Sequence, residues 1–162
     1  MNCLSWYDLY AFCIWDGGFL PSEGEWENAT AGGSDQRAFP WGNTALGTNT
    51  DLAIYGCYFG GTGSCTDVRN IANVGAVAAG AGRWGQLDLA GSVEEWTRDN
   101  PYPVPATGTD RASLSSTGTA MIRGGSFAPP ATYLVTANRS STHYLGLASR
   151  DAVTGGRCAR AP

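Results

Sequence analysis

Five cysteines (3, 13, 57, 65 and 158), a single histidine (His143) and ten arginines without one lysine are the side chains from which any strong chemistry in this sequence would be built. The lack of lysine removes a Schiff base, a Walker-type phosphate loop and a Ser/Lys pair. One imidazole cannot supply a centre of two or three histidines, so a metal would have to be held by oxygen or thiolate. The cysteines contain no C-x-x-C pair, which argues against zinc-knuckle spacing. Cys57 and Cys65 flank a glycine-rich loop, residues 58–64, that has too little side-chain packing to hold itself and that one bridge would close. Scattered buried thiols are the alternative. His143 lies in the polar stretch Ser140–Tyr144 with no cysteine or carboxylate beside it, and reads as an exposed loop residue and not as a catalytic base.

The elements that must position these groups are few. Ser5 with Asp8 three residues on marks a helix start, and Trp6, Leu9, Tyr10 and Cys13 follow at helical spacing up to Gly17-Gly18. Ser22 and Glu25, behind Pro21, mark a second start that runs to about Thr30 and turns Trp26 inward. Residues 31–85 are turns, small residues and isolated aromatics, without a long helix. Residues 84–91 read as an extended piece entering a turn, residues 92–97 and 120–123 as strands, and residues 100–118 as a long exposed loop; a last short strand is expected near Arg157–Ala159. Trp6, Trp26, Trp41, Trp84 and Trp96 read as core, because indoles spaced through a glycine-rich chain must supply its burial; a carbohydrate-stacking role for one of them is the alternative.

Length and charge bound the rest. At 162 residues the chain has room for one domain, with 43% hydrophobic and 15% charged residues and a net charge of -4. That balance excludes a disordered chain and a nucleic-acid binder that works by charge, and no apolar run approaches a membrane span.

Taken in order, Asn2–Asp8 with Ala11-Phe12-Cys13, Gly17–Glu27, Phe39-Pro40-Trp41-Gly42, Gly85–Trp96, Arg123–Phe127 and Gly155-Gly156-Arg157-Cys158 form a set of six motifs. The set resembles the formylglycine-generating enzyme family, the sulfatase-modifying factors, over essentially the whole chain. The resemblance implies an α+β, C-type-lectin-like fold, loop-rich with little regular secondary structure. It also implies strands before the first helix, so residues 1–162 read as a partial domain lacking its N-terminal strands. Phe19, where the family usually has arginine, and Asn28, where an aromatic is usual, depart from the pattern.

Catalytic members of that family oxidise a substrate cysteine with two copper(I)-binding cysteines that lie between the Gly-Gly-Ser motif and the final Arg-Cys. Residues 126–157 contain no cysteine here; Thr136 and a residue near Ala131 fall at the two places, and neither donates a thiolate. No catalytic residue is assigned, and copper is not expected. The resemblance pairs Cys13 with Cys158, leaving Cys3 over. It also implies a calcium site from the carbonyls of Ala90, Gly91 and Val93 with the carboxylate of Glu95, although Ser92 replaces the usual asparagine; the other reading is that Glu95 caps the turn. Arg139 and Arg157 match arginines that brace loops. The function implied is a formylglycine-generating-enzyme-like domain without oxidase chemistry, an extracytoplasmic binding or scaffold module for a protein or glycan ligand. An enzyme of the same fold with non-cysteine chemistry, or a gene fragment without function, are the alternatives.

Overall fold

The architecture is that of a computed structural model, which describes residues 1–46, 51–57, 68–101, 112–113, 118–128, 130–139 and 144–161. Helix α1 (Trp6–Trp15) starts where local chemistry says it should. The Ser5 amide donates to Asp8 Oδ2 at 2.9 Å, and the Asp8 amide donates back to Ser5 Oγ at 3.2 Å, so two groups the helix leaves open at its start are satisfied reciprocally. Helix α2 (Glu23–Ala31) repeats the device one residue type over: the Ser22 amide donates to Glu25 Oε2 at 2.7 Å, and the Glu25 amide donates to Ser22 Oγ at 3.2 Å. Four short strands, β1 (Glu94–Trp96), β2 (Thr119–Arg123), β3 (Tyr144–Gly146) and β4 (Thr154–Gly155), form one sheet in the order β3-β2-β1-β4.

The described chain divides into two compact units that interleave in sequence. The first comprises residues 1–26, 95–123 and 139–162; the second comprises 27–94 and 124–138. In the first, β1 and β2 pair antiparallel with Glu95 opposite Arg123 and Trp96 opposite Ile122. Because side chains alternate along a strand, this register sorts them. Trp96, Ile122 and Ala120 face one core with Leu9, Cys13 and Leu20, while Glu95 and Arg123 point to the other face. The buried Trp96 and the half-buried Trp6 keep their indole N–H groups satisfied: Trp96 Nε1 donates to the Leu4 carbonyl and Trp6 Nε1 to the Thr97 carbonyl, both at 2.9 Å. Gly156 admits this packing, since a Cβ there would stand 2.1 Å from Leu9 Cδ2. On β2, Ala120 pairs with Leu145 and Met121 with Tyr144 of β3.

The second unit is nearly all turns around Ala53, Tyr55, Ala90 and Leu134, with Phe39 and Trp41 stacked 4.9 Å apart against them. Its central turn is held by backbone bonds from the Gly91 amide to the Gly124 carbonyl and from the Ser92 amide to the Ile54 carbonyl, each 2.9 Å. Gly91 sits at φ +78°, and a Cβ there would lie 2.3 Å from the Ile54 oxygen, so the turn requires glycine twice over.

Three expectations are corrected. Residues 84–91 do not extend; Gly85 and Asp88 take positive φ and turn the chain. Near Arg157–Ala159 there is an isolated bridge between Phe19 and Ala159, while the last strand lies earlier, at β4. Trp84 is not core: the residue is 54% exposed, whereas Trp26 and Trp96 are buried. A single hydrophobic residue inside a run of glycines carries no periodicity from which its direction follows. Of the expected long loop, residues 102–111 and 114–117 lie outside the described residues, as does His143.

Candidate functional site

In the first unit the face of the sheet opposite the apolar core is ionic. Glu23, on the first turn of α2, is buried and reaches two arginines, with Oε1 3.5 Å from Arg123 Nε and Oε2 2.8 Å from Arg139 Nη2. The guanidinium of Arg123 lies over the Trp26 ring, 4.9 Å from its centroid. Trp26 Nε1 donates to Glu95 Oε2 at 2.8 Å. Arg157 then closes on the same carboxylate, with Nε donating to Oε2 at 2.7 Å and Nη2 to Oε1 at 2.6 Å. The result is a continuous chain, Arg139–Glu23–Arg123–Trp26–Glu95–Arg157. Buried charges are costly unless they are paired, and this chain pairs them alternately in sign, by ion pairs at Glu23 and by hydrogen bonds at Glu95. Asp99, also buried, fixes the start of α2 by accepting from the Glu23 amide at 2.7 Å, and anchors the loop by accepting from the Ser113 amide at 2.6 Å.

Such an arrangement braces the segments it joins. It holds no thiolate, and its carboxylates are committed to guanidinium partners. Arg139 and Arg157 thus both end on carboxylates of the first unit. Among the described residues Glu95 is engaged by side chains and not by backbone amides, with its two oxygens taken by Arg157 and Trp26. A dication would have to displace a two-point guanidinium contact, so the Glu95 side chain as it stands does not fit a calcium shell. Ala90, Gly91 and Val93 belong to the second unit.

The cysteines divide three ways. Cys13 and Cys158 are joined, with their Cα atoms 5.3 Å apart, linking α1 to the segment after β4. Cys57 is disulfide-bonded, and Cys65 lies outside the described residues. Cys3 is free and exposed. A copper(I) site of the kind the resemblance implies lacks its ligands: no cysteine occurs in residues 126–157, and the sulfur of Cys158 is used. Of the two replacing positions, Ala131 opens a 3-10 turn, Ala131–Leu134, and Thr136 is buried with its amide donating to the Ala38 carbonyl at 2.9 Å. Sequence reasoning did not single out Glu23, Arg123 or Asp99 as partners. Arg123 did carry a signal, since a charged residue ending the apolar strand Ala120-Met121-Ile122 requires a counterion once both faces are covered.

The profile of the family described as "Sulfatase-modifying factor enzyme 1-like domain" matches residues 1–162. A formylglycine-generating enzyme of Thermomonospora curvata is 35% identical over 135 residues, covering 76% of this chain and 43% of that one. The mouse (Mus musculus) protein named "Inactive C-alpha-formylglycine-generating enzyme 2" is 35% identical over 101 residues, covering 62% of this chain and 32% of that one. The chain therefore spans less than half the length of either relative. Among solved structures, PvdO from Pseudomonas aeruginosa is similar with a TM-score of 0.69 at 21% identity, covering 96% of this chain and 59% of that one, a likeness of fold.

Proposed function

Because the chain belongs to the sulfatase-modifying factor family over all of its 162 residues, we propose that it is a family domain that has kept the framework and given up the oxidase, acting as a binding or scaffold module. One observation carries the reading: the segment between Gly-Gly-Ser and the final Arg-Cys has no cysteine, and Cys158 just beyond it is bonded to Cys13. A soft monovalent metal needs thiolate, and threonine and alanine do not supply it. That one relative bears the name of an inactive family member agrees with a framework surviving the loss of chemistry. In this reading the charge chain from Arg139 to Arg157 serves rigidity, and Glu95 is a counterion and not a calcium ligand. The disulfides favour an extracytoplasmic setting, where oxidising conditions preserve them. Among the described residues no helix is long and apolar enough to cross a membrane.

The experiment is direct. Reduced protein is incubated with copper(I), oxygen and a cysteine peptide of the sulfatase type, and the peptide is followed by mass spectrometry with an aldehyde-selective probe. No aldehyde is expected. Aldehyde that forms and then disappears in Cys57→Ser would overturn the reading and move the active site to that loop.

A further inference from the structure

In the second unit, Asp35, Arg37, Arg83 and Trp84 form a surface cluster that the oxidase framework does not use. Asp35 ends a one-turn 3-10 segment, Gly33–Asp35, set between Gly32 and Gln36, both in left-handed conformation. Its carboxylate gathers two guanidiniums: Arg83 Nη1 donates to Oδ1 at 2.7 Å, and Arg37 Nε and Nη2 donate to Oδ2 at 3.1 and 3.0 Å. Each arginine is also tied to main chain, Arg83 Nη1 to the Gly32 carbonyl at 2.9 Å and Arg37 Nη1 to the Pro40 carbonyl at 3.2 Å. Gly32 makes room for this, since a Cβ there would be 2.9 Å from Arg37 Nε. Two cations fixed by one anion leave a local surplus of positive charge.

Beside them the Trp84 indole is held without being buried. The Arg83 guanidinium carbon is 5.6 Å from its centroid, and its edge rests over Gly33, where a Cβ would meet Cη2 at 3.4 Å. Arg83 Nε, Arg83 Nη2 and Trp84 Nε1 make no hydrogen bond to a described residue. A large ring resting beside Gly33 and the Arg83 guanidinium and presented to water, with donors at its rim, offers a ligand stacking area and a charge-assisted contact together.

We propose that Trp84 and Arg83 form a binding platform for an acidic saccharide. One sugar ring stacks its C–H face on the indole, and a carboxylate on the sugar accepts from the uncommitted Nε and Nη2 of Arg83 in the two-point geometry guanidinium favours. The indole offers one exposed ring face, which matches a single sugar unit in size. The chain's net charge of -4 opposes a polyanion such as nucleic acid, while a short saccharide with isolated carboxylates meets only the local surplus. The inference goes beyond the binding-module reading and does not rest on it: the platform exists whether or not the chain oxidises cysteine, and its test follows one indole and no peptide conversion.

The intact chain, labelled with 15N, has six tryptophan indole N–H signals, of which Trp84 is identified by its loss in Trp84→Phe. Digalacturonate and a neutral galactose disaccharide are titrated separately. A saturable shift of the Trp84 signal is expected with the acidic sugar, about tenfold tighter than with the neutral one, the weight of one charge-assisted contact. Arg83→Gln should level the two affinities, and in Trp84→Ala, where binding is followed at the backbone amide of Gly33 beside the ring, the acidic sugar should no longer bind while the other five indole signals stay in place and report an intact fold. No saturable shift at tens of millimolar sugar, a response confined to other indoles, or unchanged binding in Trp84→Ala overturns the proposal. Equal affinities in the unaltered chain overturn the role given to Arg83.

Discussion

Glu95 shows how much a single carboxylate can settle. Its neighbour Arg157 is 28% exposed in its side chain while Glu95 is 5% exposed, so the pair spans the boundary between interior and water. Removing one partner of a buried pair leaves the other uncompensated, at a cost of about 3–5 kcal/mol when both are deeply buried. With Arg157 still partly solvated, Glu95→Gln should cost less, about 2–3 kcal/mol. Urea denaturation measures it, and Arg157→Gln added to Glu95→Gln should cost clearly less than the two singly, since both changes remove one interaction. The same melts repeated in millimolar calcium test the competing role. Stabilisation by calcium that is lost in Glu95→Gln would restore Glu95 to a calcium set, because only binding to the folded form raises stability with concentration. The choice between the two roles was not legible in the sequence. Glu95 and Arg157 stand 62 positions apart, and the register that turns Glu95 to the face of Arg123 belongs to the sheet.

Helices were legible where their signals are local. Ser5 with Asp8 and Ser22 with Glu25 each close a reciprocal cap within four residues, so sequence alone placed both starts within a residue of where they stand. Strands β1 and β2 were legible as well, at residues 92–97 and 120–123, whereas β3 and β4, three and two residues long and beside turns, were not, because cross-strand partners make them strands. The cap of α1 also makes that element pH-sensitive. Asp8 is held below its ordinary value of 3.8, first by the hydroxyl and amide of Ser5 and then by Arg150. A carboxyl depressed in the folded state contributes stability that is present above the unfolded value and lost as pH falls through the folded one. Acidification below 3.8 should therefore loosen the first turn of α1, read as faster amide exchange at Asp8 and Leu9. Asp8→Asn should exchange fast at every pH and show no such step. An Asp8 carboxyl titrating by NMR at or above 3.8 would remove the effect.

At the scale of the whole molecule, a chain with so little regular structure depends on what ties distant segments together. The motif order made the family and its α+β, lectin-like fold readable, because six short motifs in sequence constrain a loop-rich chain more than periodicity does; the exposure of Trp84 and the charge chain needed coordinates. The bond between Cys13 and Cys158 spans 145 positions and joins α1 to the segment after β4 across the core of the first unit. Closing a loop of that length in the unfolded ensemble removes entropy worth about 5 kcal/mol, an upper figure because native strain and residual structure reduce it. That is comparable to the entire net stability of a small domain, at about 5–15 kcal/mol. Cys13→Ala with Cys158→Ala should therefore lower the urea midpoint strongly, and by more than Cys57→Ala, whose own bridge is a separate constraint. The unaltered chain should lose stability when reductant is added, whereas the double variant should respond only through the bridge at Cys57. A midpoint unmoved by reductant would mean that the ionic chain and the two cores hold this fold without the covalent tie.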